Sequence, residues 1–245
     1  MSTIDEDANR LQKLIDRSHH IVFFGGAGVS TESGIPDFRS KDGLYNQKYK
    51  YDPETILSHS FFVYNIQEFY RFYKDKMLLL DKKPNAAHLY LTQLEKAGKL
   101  DAIVTQNIDG LHQAAGSKHV IELHGSVHRN HCLDCDEEYS AQFVKDSEDL
   151  VPHCPLCGGV IKPDVVLYEE GLDENVITNA MIKISNADLL IVAGTSLAVY
   201  PANGFIDYFK GNDLVVINKD PSIADGKASV VIHQKVGELF SRLHA

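Results

Sequence analysis

The sequence predicts an α/β protein built on a parallel β-sheet with helices on both faces, together with a smaller module of a different kind. Short, fully apolar runs that suit buried strands alternate with stretches of helical periodicity. Four cysteines interrupt this alternation as two C-x-x-C pairs. At 245 residues the chain is long enough for one large α/β domain and a modest insertion.

The strands and helices of the predicted sheet follow one another along the chain. Four apolar runs are predicted as strands: 21–24, 102–105, 189–193 and 214–217. Leu11, Leu14 and Ile15 fall at helical spacing before the first run, and residues 86–97 form an amphipathic helical pattern that ends at Gly98. Strands that are apolar on both faces and alternate with helices are typical of a parallel sheet covered on both sides.

Residues 40–80 depart from the alternation because they are rich in aromatic side chains. These are Phe61, Phe62, Tyr64, Phe69, Tyr70, Phe72 and Tyr73. We predict a helical insertion in which the rings form the core of a small subdomain. The alternative is that they line a channel for an apolar substrate.

Residues 131–159 form a second departure, polar and too poor in apolar residues to build a core of their own. The metal-ligand candidates are Cys132, Cys135, Cys154 and Cys157. Two C-x-x-C turns separated by 18 residues can complete the tetrahedron that zinc prefers. Four protein ligands leave no open position for water, so we predict a structural ion whose binding energy replaces the missing core. His131 and His153 each precede a cysteine and are alternative ligands.

A glycine turn, Gly26-Ala27-Gly28, follows the first predicted strand. Such a turn exposes backbone N–H groups and allows close approach, which suits a pyrophosphate. Thr31 stands where a dinucleotide fingerprint places its third glycine, so a turn that merely closes the strand is the alternative. The nearby carboxylate, ring and guanidinium of Asp37, Phe38 and Arg39 favour a binding site.

Polar side chains follow the second predicted strand. Because ligands bind outside the carboxyl ends of parallel strands, Gln106, Asn107 and Asp109 are predicted to face a cleft. The alternative is a capped turn before a helix. His124 ends a later apolar stretch and precedes Gly125, which suits an exposed side chain at the edge of the cleft. Most lone histidines are structural, but the ordinary pKa of histidine, about 6.5, makes this residue type the natural general base at neutral pH.

The formal net charge of −10 argues against binding to nucleic acid or to an anionic membrane through a broad basic surface. A Lys-rich, cationic partner suits it better, although acidic surfaces are common in proteins of every kind. Residues 1–16 lack an apolar segment after a basic start, and no apolar run reaches the roughly 18 residues that span a bilayer. We therefore expect a cytoplasmic protein with no membrane partner.

Taken together, these motifs resemble the sirtuin family, in the form of a bacterial-type single catalytic core, over residues 20–232. The matching runs are GAGVSTESGIPDFR, TQNIDGLH, ELHGS, the paired C-x-x-C, KPDVVLYEE, GTSLAVYPA and VVIN. The resemblance implies NAD-dependent removal of acyl groups, chiefly acetyl, from the lysines of partner proteins or peptides. It also implies a Rossmann-like NAD-binding domain of residues 1–39, 81–125 and 164–245. The helical insertion 40–80 and the zinc module 126–163 would form the small domain.

The resemblance assigns roles position by position. It gives the NAD cradle to Gly26, Ala27, Gly28, Thr31 and Arg39, with Phe38 as the ring that shields the reacting sugar. It gives the nicotinamide pocket to Asn107, Ile108 and Asp109, and the nicotinamide ribose to Gln106 and His124. It gives the phosphates and the adenosine half to Thr195, Ser196 and Asn218, with an adenine contact at Ile232. The catalytic residues would be His124, Asn107 and Asp109, and the peptide would add as a strand between Val166 and the edge that holds Leu197 and Val199.

The implied reaction consumes NAD, and no hydride moves. The acyl oxygen attacks the ribose carbon that bears nicotinamide, and His124 then takes a proton from the ribose hydroxyl that attacks the acyl group. Nicotinamide, free lysine and O-acyl-ADP-ribose result. The alternatives are a mono-ADP-ribosyltransferase and a non-catalytic NAD or ADP-ribose sensor.

Three positions depart from the family pattern. Gly25 stands where a Thr is usual, which should be a mild change because glycine fits any backbone. Glu169 stands where a Gly is usual, and it adds a charge near the peptide-binding edge. Tyr73 stands where relatives that remove succinyl groups place an Arg three residues after a Tyr, here Tyr70. We therefore predict a preference for neutral acyl groups, acetyl first.

Overall fold

The computed structural model of the protein describes residues 2–38, 40, 43–46, 48–198 and 202–244. The strands, in chain order, are β1 (Ile21–Gly25), β2 (Leu100–Thr105), β3 (Val120–Glu122), β4 (Gly125–Cys132), β5 (Glu138–Ser140), β6 (Ile161–Val165), β7 (Leu189–Ala193), β8 (Asp213–Ile217) and β9 (Val230–Ile232). The α-helices are α1 (Ile4–Arg17), α2 (Pro53–Ile56), α3 (His59–Tyr64), α4 (Ile66–Phe72), α5 (Ala86–Lys96), α6 (Leu111–Ala115), α7 (Ala141–Asp146), α8 (Glu174–Asn186) and α9 (Val236–Phe240).

The larger sheet has six strands in the order β3-β2-β1-β7-β8-β9, and each neighbouring pair is parallel. Side chains of β1 alternate between its two faces, because successive residues of a strand point in opposite directions. Ile21 and Phe23 join one core with residues of α1, α5 and α9. Val22 and Phe24 join another with residues of α8. The predicted parallel sheet with helices on both faces is confirmed.

Local sequence explains where the predicted helices begin and end. Thr3 caps α1 in a capping box with Glu6, so two backbone donors of the first turn gain side-chain acceptors. Asn85 caps α5 by accepting from the Ala87 amide. Gly98 has φ 75°, a left-handed conformation that favours glycine and ends the helix.

The smaller sheet has three antiparallel strands in the order β5-β4-β6. It packs against α2, α3 and α4 and the π-helical turn Tyr73–Met77, and one hydrophobic cluster contains residues of both segments. The cysteine-bearing segment therefore shares the aromatic core of the insertion, which compensates for its own lack of apolar residues. Domain boundaries remain a prediction.

The core interpretation of the aromatic insertion is confirmed for five of its rings. The buried ones are Phe62, Phe69, Tyr70, Phe72 and Tyr73. Tyr64 is 87% exposed and belongs to neither a core nor a channel wall. Within the described ranges, no helix combines the length and the apolar character that crossing a membrane requires.

Candidate active site

The loops after β1, β2, β7 and β8 meet at one edge of the large sheet, where the strand order reverses between β1 and β7. Such a reversal leaves a crevice outside the carboxyl ends of the strands. A cleft of about 1100 Å³ opens there. The predicted site residues that line it are Ala27, Gly28, Thr31, Phe38, Gln106, Asn107, Ile108, Asp109, His124, Val166, Thr195, Ser196 and Asn218.

Three predicted residues do not contribute to the described wall of this cleft: Gly26, Leu197 and Ile232. The side chains of Leu197 and Ile232 are 1% and 0% exposed and lie in the two cores of the sheet. Both side chains are therefore sealed from the cleft. The peptide edge at Leu197, which concerns its backbone, and the adenine contact at Ile232 stay predictions. Arg39 and Val199 lie outside the described residues.

The glycine turn after β1 is hydrogen-bonded to the end of β7 and to the loop that follows it. The amides of Gly26 and Gly28 donate to the carbonyls of Ala193 (3.1 Å) and Gly194 (2.8 Å). The expectation that these two N–H groups are free for a phosphate is therefore wrong. The expected close approach is present, because a Cβ on Gly28 would lie 2.7 Å from the Gly194 Cα.

Ser30, which the sequence analysis did not single out, connects the predicted nicotinamide-pocket residues. Its hydroxyl donates to Asp109 Oδ2 (2.6 Å) and accepts from Asn107 Nδ2 (3.1 Å). Burial raises the pKa of Asp109 above its ordinary value, while the hydrogen bonds from Ser30 and the Leu111 amide oppose that shift. The three side chains form a fixed polar group beside the glycine turn.

His124 is half-buried, so the prediction of an exposed side chain is wrong. Its Nδ1 lies 2.9 Å from the carbonyl oxygen of Gln106. Because a carbonyl only accepts, Nδ1 carries the proton of the neutral ring and Nε2 keeps its lone pair. Burial lowers the pKa of His124, which keeps the ring neutral at pH 7. The imidazole is thus prepared to accept a proton at Nε2.

The loop after β7 is held by side chains from the loops after β2 and β8. Gln106 Nε2 donates to Thr195 Oγ1 (2.9 Å). Asn218 accepts from the Thr195 amide (2.9 Å) and donates to its carbonyl (3.1 Å). The side-chain amide of Asn218 therefore positions this loop, in addition to lining the cleft.

The segment after β6 is tied to both His124 and the helical insertion. The Val166 amide donates to the His124 carbonyl (3.0 Å). Glu169 has φ 77°, a region that favours glycine, and its carboxylate accepts from the amide (2.9 Å) and the hydroxyl (2.5 Å) of Ser60. These hydrogen bonds lower the pKa of Glu169, so its charge is present at neutral pH.

The four predicted metal ligands come together beside the small sheet. Their Sγ atoms all lie within 4.8 Å of one another. Zn–S bonds of about 2.3 Å place tetrahedral sulfurs about 3.8 Å apart, so the cluster fits one structural zinc ion. The Asp134 and Gly159 amides donate to two of the sulfurs, and the Tyr139 hydroxyl lies 3.0 Å from Cys154 Sγ. The histidines that precede the cysteines are not part of the group.

Comparison with known proteins agrees with this geometry. A sequence model of the Sir2 family matches residues 26–201. An NAD-dependent protein deacetylase of Clostridium acetobutylicum is 57% identical over 234 residues, which cover 95% of this chain and 96% of that protein. One from Clostridium perfringens is 56% identical over 98% of this chain and 99% of its own length.

Solved structures give the same likeness. A Sir2 complex with a p53 peptide and NAD+ superimposes with a TM-score of 0.84 at 38% identity and covers 95% of each chain. Sir2Tm bound to a propionylated peptide has a TM-score of 0.85 at 37% identity, over 96% of this chain and 95% of that one.

Proposed function

Because this chain belongs to the Sir2 family, we infer that it is an NAD-dependent protein-lysine deacylase. It removes acyl groups, chiefly acetyl, from protein lysines and yields nicotinamide, free lysine and O-acyl-ADP-ribose. The observation that carries this proposal is the half-buried His124, whose Nδ1 is fixed by a carbonyl and whose Nε2 is free to accept a proton at the cleft.

NAD fits the polar part of the cleft. When bound, it supplies the bond to nicotinamide that is cleaved and the ADP-ribose that accepts the acyl group. The donors and acceptors of Asn107 and Asp109, fixed through Ser30, match an amide, which offers one carbonyl oxygen and one NH₂ group. We assign them to the carboxamide of nicotinamide. Gln106 and Thr195, bonded to each other, are assigned to the sugar and phosphate side of the same cleft.

His124 acts as the general base in this proposal. Its lowered pKa favours the neutral ring, so Nε2 holds a lone pair at physiological pH and takes a proton from a ribose hydroxyl. The acyl-lysine peptide is assigned to the edge at Val166, which is bonded to the His124 backbone and therefore fixed relative to the base. The zinc ion is structural, because four thiolates leave no position for a reacting group.

A mass-spectrometric assay tests the proposal. An acetyl-lysine peptide is incubated with the purified protein with and without NAD, and the peptide and nucleotide products are weighed. We expect loss of acetyl and formation of O-acetyl-ADP-ribose only with NAD. His124→Ala should lower the rate by about 10²- to 10⁴-fold, whereas His19→Ala, a change at an exposed histidine, should not. Undiminished deacetylation by His124→Ala would overturn the assignment of the base.

The finer aspects of the proposal concern substrates and location. Acetyl is preferred to succinyl because Tyr73 supplies no cation for an acyl carboxylate. Lys-rich partners and a cytoplasmic location suit the net charge of −10 and the N-terminal sequence. Equal rates on succinyl- and acetyl-lysine peptides would contradict the first statement. Labelling of an unmodified protein by labelled NAD would instead favour mono-ADP-ribosyl transfer.

A further inference from the structure

The strand that follows the proposed base, β4, is bulged near its start. Ser126 pairs with Asp164 of β6 and Asn130 pairs with Pro163, so the bulge, residues 127–129, has no partner on β6. A β-bulge bends its strand and changes the direction in which its side chains point. The bulged residues are therefore free to contact a part of the chain outside the small sheet.

Two of the bulged residues contact the pocket loop, which we define as residues 106–109 after β2. The Val127 amide donates to the Ile108 carbonyl (3.0 Å). The Nε2 atom of His128 lies 3.0 Å from the carbonyl oxygen of Asp109. Because a carbonyl only accepts, this ring nitrogen carries a proton and donates it to the hydrogen bond.

Two histidine rings thus hold the two ends of the pocket loop. The ring of His124 donates to the first carbonyl, that of Gln106, and the ring of His128 donates to the last, that of Asp109. His124 is also the proposed base and lines the cleft, whereas His128 is exposed and is not among the described residues that line it. His128 therefore acts on the site through the backbone of Asp109.

Asp109 is held at its side chain as well as at its backbone. Its carboxylate accepts from the hydroxyl of Ser30 (2.6 Å) and from the Leu111 amide (2.9 Å). The ring of His128 also packs on the next residue, since a Cβ on Gly110 would lie 2.5 Å from His128 Cδ2. Groups that bind a ligand depend on such neighbours to hold them in place.

We propose that His128 is a positioning residue of the nicotinamide pocket, whose ring orders the pocket loop from outside the cleft and thereby increases the affinity for nicotinamide and for NAD. This inference rests on the proposed deacylase function and adds a residue that touches no substrate. Without the ring, part of the pocket loop has to be ordered when the ligand binds, and this loss of entropy lowers the affinity. Nicotinamide is the product that leaves this pocket, so its inhibition constant measures the pocket without the sugars, the phosphates or the peptide.

Two substitutions at position 128 test the proposal. His128→Leu keeps an apolar side chain over Gly110 and removes the donor, whereas His128→Gln keeps an NH₂ donor for the Asp109 carbonyl. We expect His128→Leu to raise the Ki of nicotinamide and the KM for NAD by about twofold to fivefold, the lower part of the range for one hydrogen bond because the ring is exposed. The KM for an acetyl-lysine peptide and kcat should stay unchanged. His128→Gln should return both raised constants toward the wild-type values.

His20→Leu is the matched control. It removes another exposed histidine ring with a side-chain hydrogen bond, to Asp101, at the opposite end of β1 from the cleft. It should leave all four constants unchanged. An unchanged Ki of nicotinamide in His128→Leu would overturn the proposal, as would a parallel rise in the KM for the peptide, which indicates a general loosening of the fold.

Two further outcomes are informative. A His128→Gln protein that behaves like His128→Leu would overturn the assigned hydrogen bond. Titration calorimetry of NAD and of nicotinamide repeats the comparison without turnover, and equal dissociation constants in His128→Leu and the wild type would again overturn the proposal. Failure of the wild type to deacylate any peptide in the presence of NAD is a different result, because it would overturn the proposed function itself.

Discussion

Two buried histidines, His88 and His112, lead to a specific prediction about stability in acid. They are 0% and 1% exposed, with ring centroids 4.7 Å apart. His88 Nε2 and both ring nitrogens of His112 have no hydrogen-bond partner among the described residues. Burial lowers the pKa of His88 to about 4 and that of His112 to about 3. The folded protein therefore holds both rings neutral at pH values where the unfolded chain protonates them.

The sign and size of the effect follow from this difference. The unfolded histidines bind protons near pH 6.5, so the stability that depends on their neutral form is fully present above that value. It is lost as the pH falls toward the folded pKa values of about 4 and about 3. At pH 5.5, one unit below the unfolded pKa, each ring lowers the free energy of unfolding by about 1.4 kcal/mol, or about 2.8 kcal/mol for the two.

Urea unfolding of the wild type and His112→Leu at pH 7.5 and 5.5 measures the contribution of one ring. The wild type should lose about 1.4 kcal/mol more than the variant between the two pH values. Other groups, including the cysteine thiolates, are common to both proteins, so their titration cancels in the difference. The same loss of stability in both proteins would refute the reasoning, because His112 would then titrate alike in the folded and unfolded states.

Three further predictions concern the site and its supports. Gly28→Ala should lower the free energy of unfolding by about 1–3 kcal/mol, because the added Cβ overpacks the turn against Gly194. It should also raise KM for NAD in steady-state kinetics. An unchanged melting temperature would contradict the prediction. Tyr139→Phe should speed zinc release to a chelator, because the thiolate of Cys154 loses a hydrogen-bond donor; equal release rates would contradict it. Glu169→Gln should lower kcat/KM by up to about fivefold for peptides with Arg or Lys near the acyl-lysine, because it removes the negative charge. The loss should be smaller at high salt, which screens that charge. Glu148→Gln, the control, should leave kcat/KM unchanged. A uniform loss on all peptides would assign Glu169 a structural role only.

The fold was largely predictable because its central strands are buried on both faces. β1, β7 and β8 show continuous or nearly continuous burial, which gives the sequence apolar runs that stand out from their surroundings. β3 and β9 have three residues each and lie at the edges of the sheet. Such short runs are too brief for a period to appear, and they were not predicted.

The candidate site was predictable in its positions but not in its internal contacts. Asn107 and Asp109 follow a strand, and this alone places them at the cleft. Their connection through Ser30 joins residues 79 positions apart, a relation that no local pattern contains. The orientation of the His124 ring has the same origin, since its Nδ1 is fixed by the Gln106 carbonyl 18 positions away.

Gly25, which precedes the glycine turn, departs from the family pattern in a way that only its surroundings in the fold explain. Gly25 was expected to be a mild change from Thr, because glycine fits any backbone. A Cβ at this position would lie 2.8 Å from Phe23 Cε1 and 3.4 Å from Val29 Cγ2. Phe23 is fully buried against Phe240, with ring centroids 6.0 Å apart, so it has little freedom to move aside. Residues 23 and 25 lie on the same face of β1, and the large ring at the first requires the missing side chain at the second. The missing side chain at Gly25 therefore makes room for the Phe23 ring, so the effect of a residue at position 25 depends on Phe23.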